Sequence, residues 1–195
     1  MILIGKGANI FAKQQGFCET DPTELLTGRE LERYHQIKND PNFIPKVAFS
    51  GKGHGTVGCV AMDKKGRVAV AVSTGGTVMK PPGRVGDTPI FGSGAYINPK
   101  GLGVAATGYG EDLIRCMISH SVYEYSLNSS SIQQATELAI DNMYKTVQGF
   151  GGVIALGKKG FGLQWNTPRM AFSVQTDTFS AFEGIEYSDK EKLLS

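Results

Sequence analysis

The spacing of hydrophobic and polar positions predicts helices in the amino-terminal part of the chain. Residues 1–4 are an apolar run that predicts a short strand, and residues 7–15 then have helical spacing, with Gly16 as the stop signal. Residues 27–38 predict a charged helix, because they begin with Thr and Glu at the spacing of a capping box. Residues 39–55 lose this periodicity and, on their glycine and proline content, predict a mobile linker.

A β-hairpin is predicted directly after the linker. Residues 57–62 and 68–72 are apolar runs of β-forming residues, and the turn between them ends at Gly66. Because both faces of each run are apolar, we expect these strands to be central and covered on each side. Residues 73–94 are dense in glycine and proline and predict an ordered loop.

The carboxy-terminal half returns to regular periodicity. Residues 103–106 predict a buried strand, and residues 111–125 predict a helix with one apolar face. A second capping-box pattern at residues 130–133 predicts a helix that ends near Val147. Three further strands are predicted at residues 152–156, 161–165 and 171–176. Strands, then consecutive helices, then strands again favour an α+β fold over a doubly wound repeat.

Composition narrows the class of protein. The chain has 195 residues, of which 26 are glycine, and 41% are hydrophobic, which suits one compact domain rich in strands. A net charge of +2 argues against disorder, and 20 basic against 18 acidic residues give no basic excess for binding nucleic acid. No apolar run approaches the roughly 20 residues that span a bilayer. We therefore expect neither nucleic acid nor membrane as a partner.

Cysteine use and the start of the chain bear on the compartment. Cys18, Cys59 and Cys116 are an odd number of widely spaced thiols, which favours free cysteines in a reducing environment. The apolar start at residues 1–4 is too short for a signal peptide and lacks its basic flank. The sequence predicts a cytoplasmic protein.

Short polar motifs stand where the predicted strands begin or end. Gly55-Thr56 opens the first strand of the hairpin. The others are Ser73-Thr74-Gly75-Gly76, Gly83-Arg84-Val85-Gly86-Asp87 and Thr107-Gly108-Tyr109-Gly110-Glu111. One edge of the sheet could therefore gather three hydroxyls, one guanidinium and one carboxylate. Singly, each of these residues is an ordinary turn residue.

Together the motifs resemble those of the plant-type asparaginase and isoaspartyl peptidase family of N-terminal nucleophile hydrolases. The blocks occur in the family's order, and the resemblance covers nearly the whole chain. It implies a four-layer αββα sandwich, incomplete at the amino end because the family's precursors are longer there. It also implies two segments of one fold. Residues 1–55 match the end of the α subunit plus the linker, and residues 56–195 match the β subunit.

The resemblance implies that the bond between Gly55 and Thr56 cleaves itself. Thr56 then begins a new chain and carries both a nucleophilic hydroxyl and a free α-amine. The reference pKa of an α-amine, about 7.7–8.0, is close enough to neutrality for it to act as the base without a histidine.

The same resemblance assigns the substrate clamp. Arg84 matches the residue that grips the substrate's α-carboxylate, a task that suits a planar guanidinium. Asp87 matches the residue that holds the α-ammonium group, and Val85 and Gly86 complete this binding loop. A structural alternative is an exposed ion pair within one loop, worth about 0–1 kcal/mol.

The remaining site residues are implied in the same way. Thr107 and Gly108 match the family's oxyanion hole, where one lost donor costs about 2.7–4 kcal/mol. Thr74 matches a second active-site threonine beside the nucleophile. Tyr109 and Gly110 belong to the substrate-binding block, with the backbone of Gly110 near the substrate amine.

No cofactor is expected, although the family's cation-binding loop belongs to the portion that has no counterpart here. His35, His54 and His120 lack the spacing of metal ligands, and no metal site is predicted. The resemblance further implies self-association, as a dimer of processed heterodimers.

The function that the resemblance implies is hydrolysis of β-aspartyl amide bonds, in L-asparagine or in isoaspartyl dipeptides. A glycosylasparaginase is a first alternative, but it usually has Asn at position 75 or 76 and Asp in place of Glu111. The protease branch of the threonine aspartases is disfavoured by the compact linker and the clamp residues. A non-enzymatic remnant that acts only as a subunit is the alternative from a different class.

Overall fold

A computed structural model of the protein describes residues 1–44, 55–177 and 182–194. These residues divide into two compact units. The first contains the described residues of 1–45 together with 77–85, and the second contains those of 46–76 together with 86–195. Every strand belongs to the second unit among the described residues.

The first unit carries helices α1 (Gly5–Gln14), α2 (Pro22–Leu25) and α3 (Gly28–Ile37). The stop signal after α1 is confirmed: Gly16 has a φ of +84°, and its N–H donates to the carbonyl of Lys13 over 3.0 Å. The predicted strand at residues 1–4 is wrong. This run is exposed and lies in none of the sheets formed by the described residues, and a strand requires a paired neighbour.

The helix predicted from residue 27 is confirmed as α3, but the capping box is not. The Thr27 side chain forms no hydrogen bond with the start of the helix within the described residues. Gly28, the next residue, has a left-handed φ of +53°, which takes the chain off the path that a capping box requires. Most of the predicted linker, residues 45–54, lies outside the described residues.

The strands of the second unit pair in antiparallel fashion. They are β1 (Val57–Met62), β2 (Val68–Ser73), β3 (Ala95–Ile97), β4 (Gly103–Gly108), β5 (Gly151–Gly157), β6 (Gly160–Trp165), β7 (Phe172–Val174) and β8 (Phe182–Gly184). Within the described ranges, β1 pairs with β2, β3–β6 form a sheet in chain order, and β7 pairs with β8. The predicted hairpin and the strands at 103–106, 152–156 and 161–165 are confirmed, while β3 and β8 were not predicted.

The turn of the β1–β2 hairpin is held by Asp63. Its carboxylate accepts hydrogen bonds from the N–H groups of Lys65 and Arg67, each over 2.9 Å, and from the Arg67 guanidinium over 2.6 Å. These bonds lower the pKa of Asp63, and the hydrogen bond from the Arg67 backbone contributes most. Gly66 takes the left-handed φ of +77° that the turn needs.

The expected cover on both faces of the hairpin is wrong. Val60, Val68 and Val70 point at Gly103 of β4, where a Cβ would meet their methyl groups at 2.6–2.8 Å. The alternate residues of β2, including Ala69 and Ala71, are exposed. An apolar pattern shows that a face suits burial, but here only one face meets a covering layer among the described residues.

Helices α4 (Gly110–Cys116), α5 (Ile118–Ser126), α6 (Ile132–Val147) and α7 (Tyr187–Leu194) complete the second unit as described. The single helix predicted over 111–125 is wrong, because Met117 has a φ of +43° and separates α4 from α5. The new direction lets the N–H of His120 donate to the carbonyl of Gly92 over 2.9 Å.

The capping box of α6 lies one residue beyond its predicted position. The Ser131 hydroxyl accepts from the N–H of Gln134 over 3.1 Å. The Gln134 side chain in turn accepts from the N–H of Ser130 over 2.8 Å. The helix ends at Val147, as predicted.

The core of the second unit lies between these helices and the sheet of β3–β6. Val104 and Val153 of the sheet pack with Val122 of α5 and Met143 of α6, all fully buried or nearly so. Trp165 forms a second cluster with Leu163 and Phe172 and is a core residue, as expected. The protein therefore has an α+β fold with antiparallel sheets. None of its described helices has both the length and the apolar character needed to cross a membrane.

Candidate active site

Thr56 and Thr74 meet at the open end of the hairpin. Val57 pairs with Ser73 across β1 and β2, so the residues just outside this pair lie side by side. The Thr56 hydroxyl donates to the Thr74 hydroxyl oxygen over 3.2 Å, and that oxygen also accepts from the N–H of Gly76 over 2.9 Å. Strand pairing thus joins two predicted site residues that are 18 positions apart in sequence.

Thr107 and Gly108 form the end of β4, where they pair with Gly152 and Gly151 of β5. The Thr107 hydroxyl is buried and has no hydrogen-bond partner among the described residues. A buried polar group without a partner costs free energy, so this hydroxyl is a donor available to a bound group.

Two glycines let the backbones approach closely at this point. Gly108 has a φ of +153°, and a Cβ there would lie 2.5 Å from the carbonyl oxygen of Phe150. A Cβ on Gly151 would lie 2.6 Å from the carbonyl oxygen of Thr107. Any side chain at either position would push the end of β4 away from β5.

A cavity of about 310 Å³ joins these groups within the second unit. Thr56, Thr107 and Gly108 all line it. The volume lies at the small end of the range for ligand sites, about 300–1,000 Å³, which fits a substrate of amino-acid or dipeptide size.

The cavity has a wall that the sequence analysis missed. Its members follow β6 or β8, or belong to β5, and include Gly152, Thr167, Arg169, Met170 and Ile185. Thr74 directly follows β2, Thr107 is one residue before the end of β4, and Thr167 lies two residues after the end of β6. A threonine close to a strand end was therefore the signal that could have found Thr167. It was missed because the block lacks glycine.

Asn166 anchors this wall to β5. Its side-chain amide accepts from the N–H of Gly151 and donates to the carbonyl of Gly149, each over 2.8 Å. Its backbone N–H also donates to the carbonyl of Gly151 over 3.0 Å. Three hydrogen bonds therefore join the missed wall to the start of β5.

Asp87 belongs to a tight turn tied to β4. The residue is 6% exposed, and its carbonyl accepts from the N–H groups of Ile90 and Gly94. The carbonyl of Gly94 accepts from the N–H of Ala106 over 2.9 Å, one residue before Thr107. Gly86 precedes this turn and belongs to the same unit.

The other predicted residues are placed as follows. Arg84 and Val85 belong to the first unit, where the N–H of Arg84 donates to the carbonyl of Pro81 over 3.1 Å. Gly110 is buried as the first residue of α4, and Tyr109 before it donates its N–H to Phe150 over 3.0 Å. Gly55 is exposed.

No group of three or more His, Cys, Asp or Glu side chains that could hold a metal ion occurs within residues 1–44, 55–177 and 182–194. His54 lies outside these ranges, whereas His120 approaches Glu124 at 3.5 Å. Among the described residues that line the cavity, the polar side chains are those of Thr56, Thr107, Thr167 and Arg169.

Comparison with known proteins identifies the family of the chain. Residues 1–182 match the sequence profile of the asparaginase family. The chain is 37% identical over 194 residues to an isoaspartyl peptidase/L-asparaginase of Danio rerio, covering 97% of this chain and 62% of that protein. It is 32% identical to the isoaspartyl peptidase/L-asparaginase of Bos taurus (96% and 60% covered) and 34% identical to that of Xenopus laevis (91% and 57% covered).

The chain belongs to the asparaginase family. It spans about three fifths of the length of these curated relatives.

Proposed function

We propose that the chain hydrolyses β-aspartyl amide bonds, releasing ammonia from L-asparagine or an amino acid from isoaspartyl dipeptides. One observation carries the proposal: the Thr56 hydroxyl, bonded to Thr74 over 3.2 Å, lines the same cavity as Thr107 and Gly108. The family membership and the activity for which the relatives are named support the substrate class.

The first step is maturation. The Thr56 hydroxyl attacks the carbonyl carbon of Gly55, the peptide nitrogen leaves, and an ester joins the two residues. Water then hydrolyses this ester, which leaves a carboxylate on Gly55 and a free α-amine on Thr56. This amine sits on the same residue as the nucleophile and takes the hydroxyl proton during catalysis.

Turnover then proceeds through an ester. The Thr56 oxygen attacks the side-chain carbonyl of the substrate, the protonated amine or ammonia leaves, and water hydrolyses the β-aspartyl ester. The Thr74 hydroxyl orients the attacking oxygen. The Thr107 hydroxyl and the Gly108 N–H donate to the oxygen that becomes negative in the tetrahedral intermediate.

Substrate recognition is assigned to the Gly-Arg-Val-Gly-Asp block. Arg84 is the proposed residue for the α-carboxylate and Asp87 for the α-ammonium group, and Val85, Gly86, Tyr109 and Gly110 are further proposed substrate-binding residues. Support for Asp87 comes from its burial and from the hydrogen bond that ties its turn to β4 through Gly94.

The architecture proposed is the four-layer αββα sandwich, with residues 1–55 in the α subunit and 56–195 in the β subunit. The order of α5 and α6, then the sheet of β3–β6, then the β1–β2 hairpin supports it, since this is a helix layer followed by two sheets. We further propose self-association of the processed subunits in the cytoplasm. The free thiols of Cys18, Cys59 and Cys116 suit that compartment.

Hydrolysis assays on purified protein test the proposal. Ammonia release from L-asparagine and leucine release from β-aspartyl-leucine are measured for the unaltered chain, for Thr56→Ala and for Thr56→Ser. We expect activity on at least one substrate, a loss of at least a thousandfold in Thr56→Ala and partial retention in Thr56→Ser. Equal activity in Thr56→Ala contradicts the mechanism, and inactivity of a folded, unaltered chain on both substrates contradicts the function.

A further inference from the structure

We propose that Arg169 binds the α-carboxylate of the leaving amino acid and thereby selects isoaspartyl dipeptides over their amides. This inference rests on the proposed function, because it assigns Arg169 to the leaving amino acid, a part of the isoaspartyl substrate that asparagine lacks. Arg169 lies outside the motifs that carry the family resemblance, and it lines the same cavity as Thr56.

The placement of Arg169 follows from its neighbour. Met170 packs against Gly152 so closely that a Cβ there would lie 2.4 Å from the Met170 sulfur. Gly152 pairs directly with Thr107. Arg169 is therefore next in sequence to Met170, which packs on Gly152, the strand partner of the proposed oxyanion donor Thr107.

The backbone at this position is fixed. The Thr167 hydroxyl, in a residue 7% exposed, donates to the carbonyl of Arg169 over 3.1 Å. The N–H of Met170 donates to the carbonyl of Ile185 over 3.1 Å. A guanidinium that starts from a held backbone loses less freedom when it binds a ligand.

The contact with Glu186 leaves N–H donors of the Arg169 guanidinium available to a ligand. Its Nε lies 3.8 Å from a carboxylate oxygen of Glu186, which is a loose ion pair, and the side chain is 64% exposed. Arginine carries five N–H donors in a planar fork that matches a carboxylate. A substrate carboxylate can therefore be bound beside Glu186 or in its place.

The chemistry selects the ligand. An isoaspartyl dipeptide has an α-carboxylate at each end, one on the aspartyl head group and one on the leaving residue. The first is assigned to Arg84, and the second leaves the site with the amino acid. The Arg169 guanidinium at the cavity wall can bind this second carboxylate. The ammonia that leaves asparagine has no carboxylate for it to bind.

Calorimetric binding to the unaltered full-length chain tests the proposal. The ligands are hydrolysis-resistant analogues of β-aspartyl-leucine and of its carboxamide, in which a methylene group replaces the scissile nitrogen, and they differ only in the charge on the leaving residue. We expect the acid to bind about tenfold more tightly than the amide, as one charge-assisted contact predicts. Adding Arg169→Gln should abolish this preference, and Arg169→Lys should leave part of it.

Glu186→Gln is the matched control, since it removes the competing carboxylate and should preserve or increase the preference for the acid. The proposal is overturned if neither ligand binds, if the acid and the amide bind equally, or if Arg169→Gln keeps the preference while its thermal unfolding is unchanged. An acid preference that depends on Arg169, in a chain that hydrolyses no β-aspartyl amide, supports the contact between Arg169 and the carboxylate but refutes the proposed function. The two failures are thus distinguishable.

Discussion

The hydroxyl of Thr56 donates to the hydroxyl of Thr74 over 3.2 Å, at the point where the first strand of the hairpin begins and the second ends. Thr74 in turn accepts from the N–H of Gly76, so its oxygen is fixed before any substrate binds. A nucleophile oriented by a preset partner has less freedom to lose on the way to the transition state.

Replacing Thr74 tests this orientation. Thr74→Val keeps the shape of the side chain but removes the hydroxyl, and we expect kcat for β-aspartyl-leucine to fall roughly 10- to 100-fold. Thr74→Ser restores the hydroxyl and should recover most of that loss. Steady-state kinetics on both variants provide the measurement, and equal rates for Thr74→Val and the unaltered chain contradict the role.

The close approach of β4 and β5 predicts a steric effect at Gly151. A Cβ there would lie 2.6 Å from the carbonyl oxygen of Thr107, so Gly151→Ala should lower the free energy of unfolding by about 1–3 kcal/mol. Gly75→Ala is the control, because no atom of the described residues, apart from Gly75 and its chain neighbours, lies within 4 Å of its Cβ position, and it should change stability by less than about 0.5 kcal/mol. Urea unfolding measures both, and matching midpoints for the two variants count against the packing described.

The cap of α6 predicts a difference between two substitutions at Ser131. Ser131→Ala removes the acceptor for the N–H of Gln134 and should cost about 1 kcal/mol of stability. Ser131→Asp keeps a side-chain oxygen at the cap and should remain close to the unaltered chain. If thermal unfolding shows both variants equally destabilised, the side-chain oxygen is not what holds the helix start.

Asp63 predicts the direction of a pH effect on the hairpin. Its pKa in the folded chain lies below that in the unfolded chain, chiefly because of the hydrogen bond from the Arg67 backbone. Its contribution to stability is therefore fully present above the unfolded-state pKa, about 3.9, and is lost as the pH falls through the lower folded-state pKa.

Asp63→Asn measures that contribution. We expect the difference in unfolding midpoint between the unaltered chain and Asp63→Asn to be constant from pH 7 to about pH 5 and to shrink below about pH 4. A difference that instead grows on acidification reverses the predicted sign.

Local patterns in the sequence were sufficient to predict most strands and helices of the second unit. The apolar runs on either side of Asp63 and Gly66 predict the hairpin, because a tight turn between β-forming runs has few other solutions. The helix that ends at Val147 follows from its apolar period. Strand β8 and helix α7 were harder, since such brief elements depend on tertiary packing, such as that of Phe182 on Phe172.

Other features depend on contacts that no local pattern contains. Met117 breaks one predicted helix in two, although it occupies an apolar position of an unbroken helical period. Thr27 has the residue spacing of a capping box, yet Gly28 directs the chain elsewhere, while at Ser131 the same kind of motif forms. The exposed outer face of the hairpin shows that apolar character does not reveal which face is covered.

The candidate site was predictable only where the residues formed a recognisable block. Thr56, Thr74, Thr107 and Gly108 came from motifs. The pairing of β1 with β2 explains how Thr56 and Thr74 meet, and Thr107 and Gly108 line the same cavity as Thr56. Arg169 was missed because a single arginine after Thr167 and a proline has no pattern of its own. Its place in the cavity depends on the packing of Met170 against Gly152.

The central claim is that Thr56 becomes the first residue of a new chain and acts from there. Intact-mass and amino-terminal analysis of the purified protein tests it most directly, alongside the asparagine and β-aspartyl-leucine assays. We expect two fragments, one beginning at Thr56, in the unaltered active protein, and one uncut chain of 20.9 kDa without activity in Thr56→Ala. Full hydrolytic activity in folded protein whose bond between Gly55 and Thr56 is intact would contradict it.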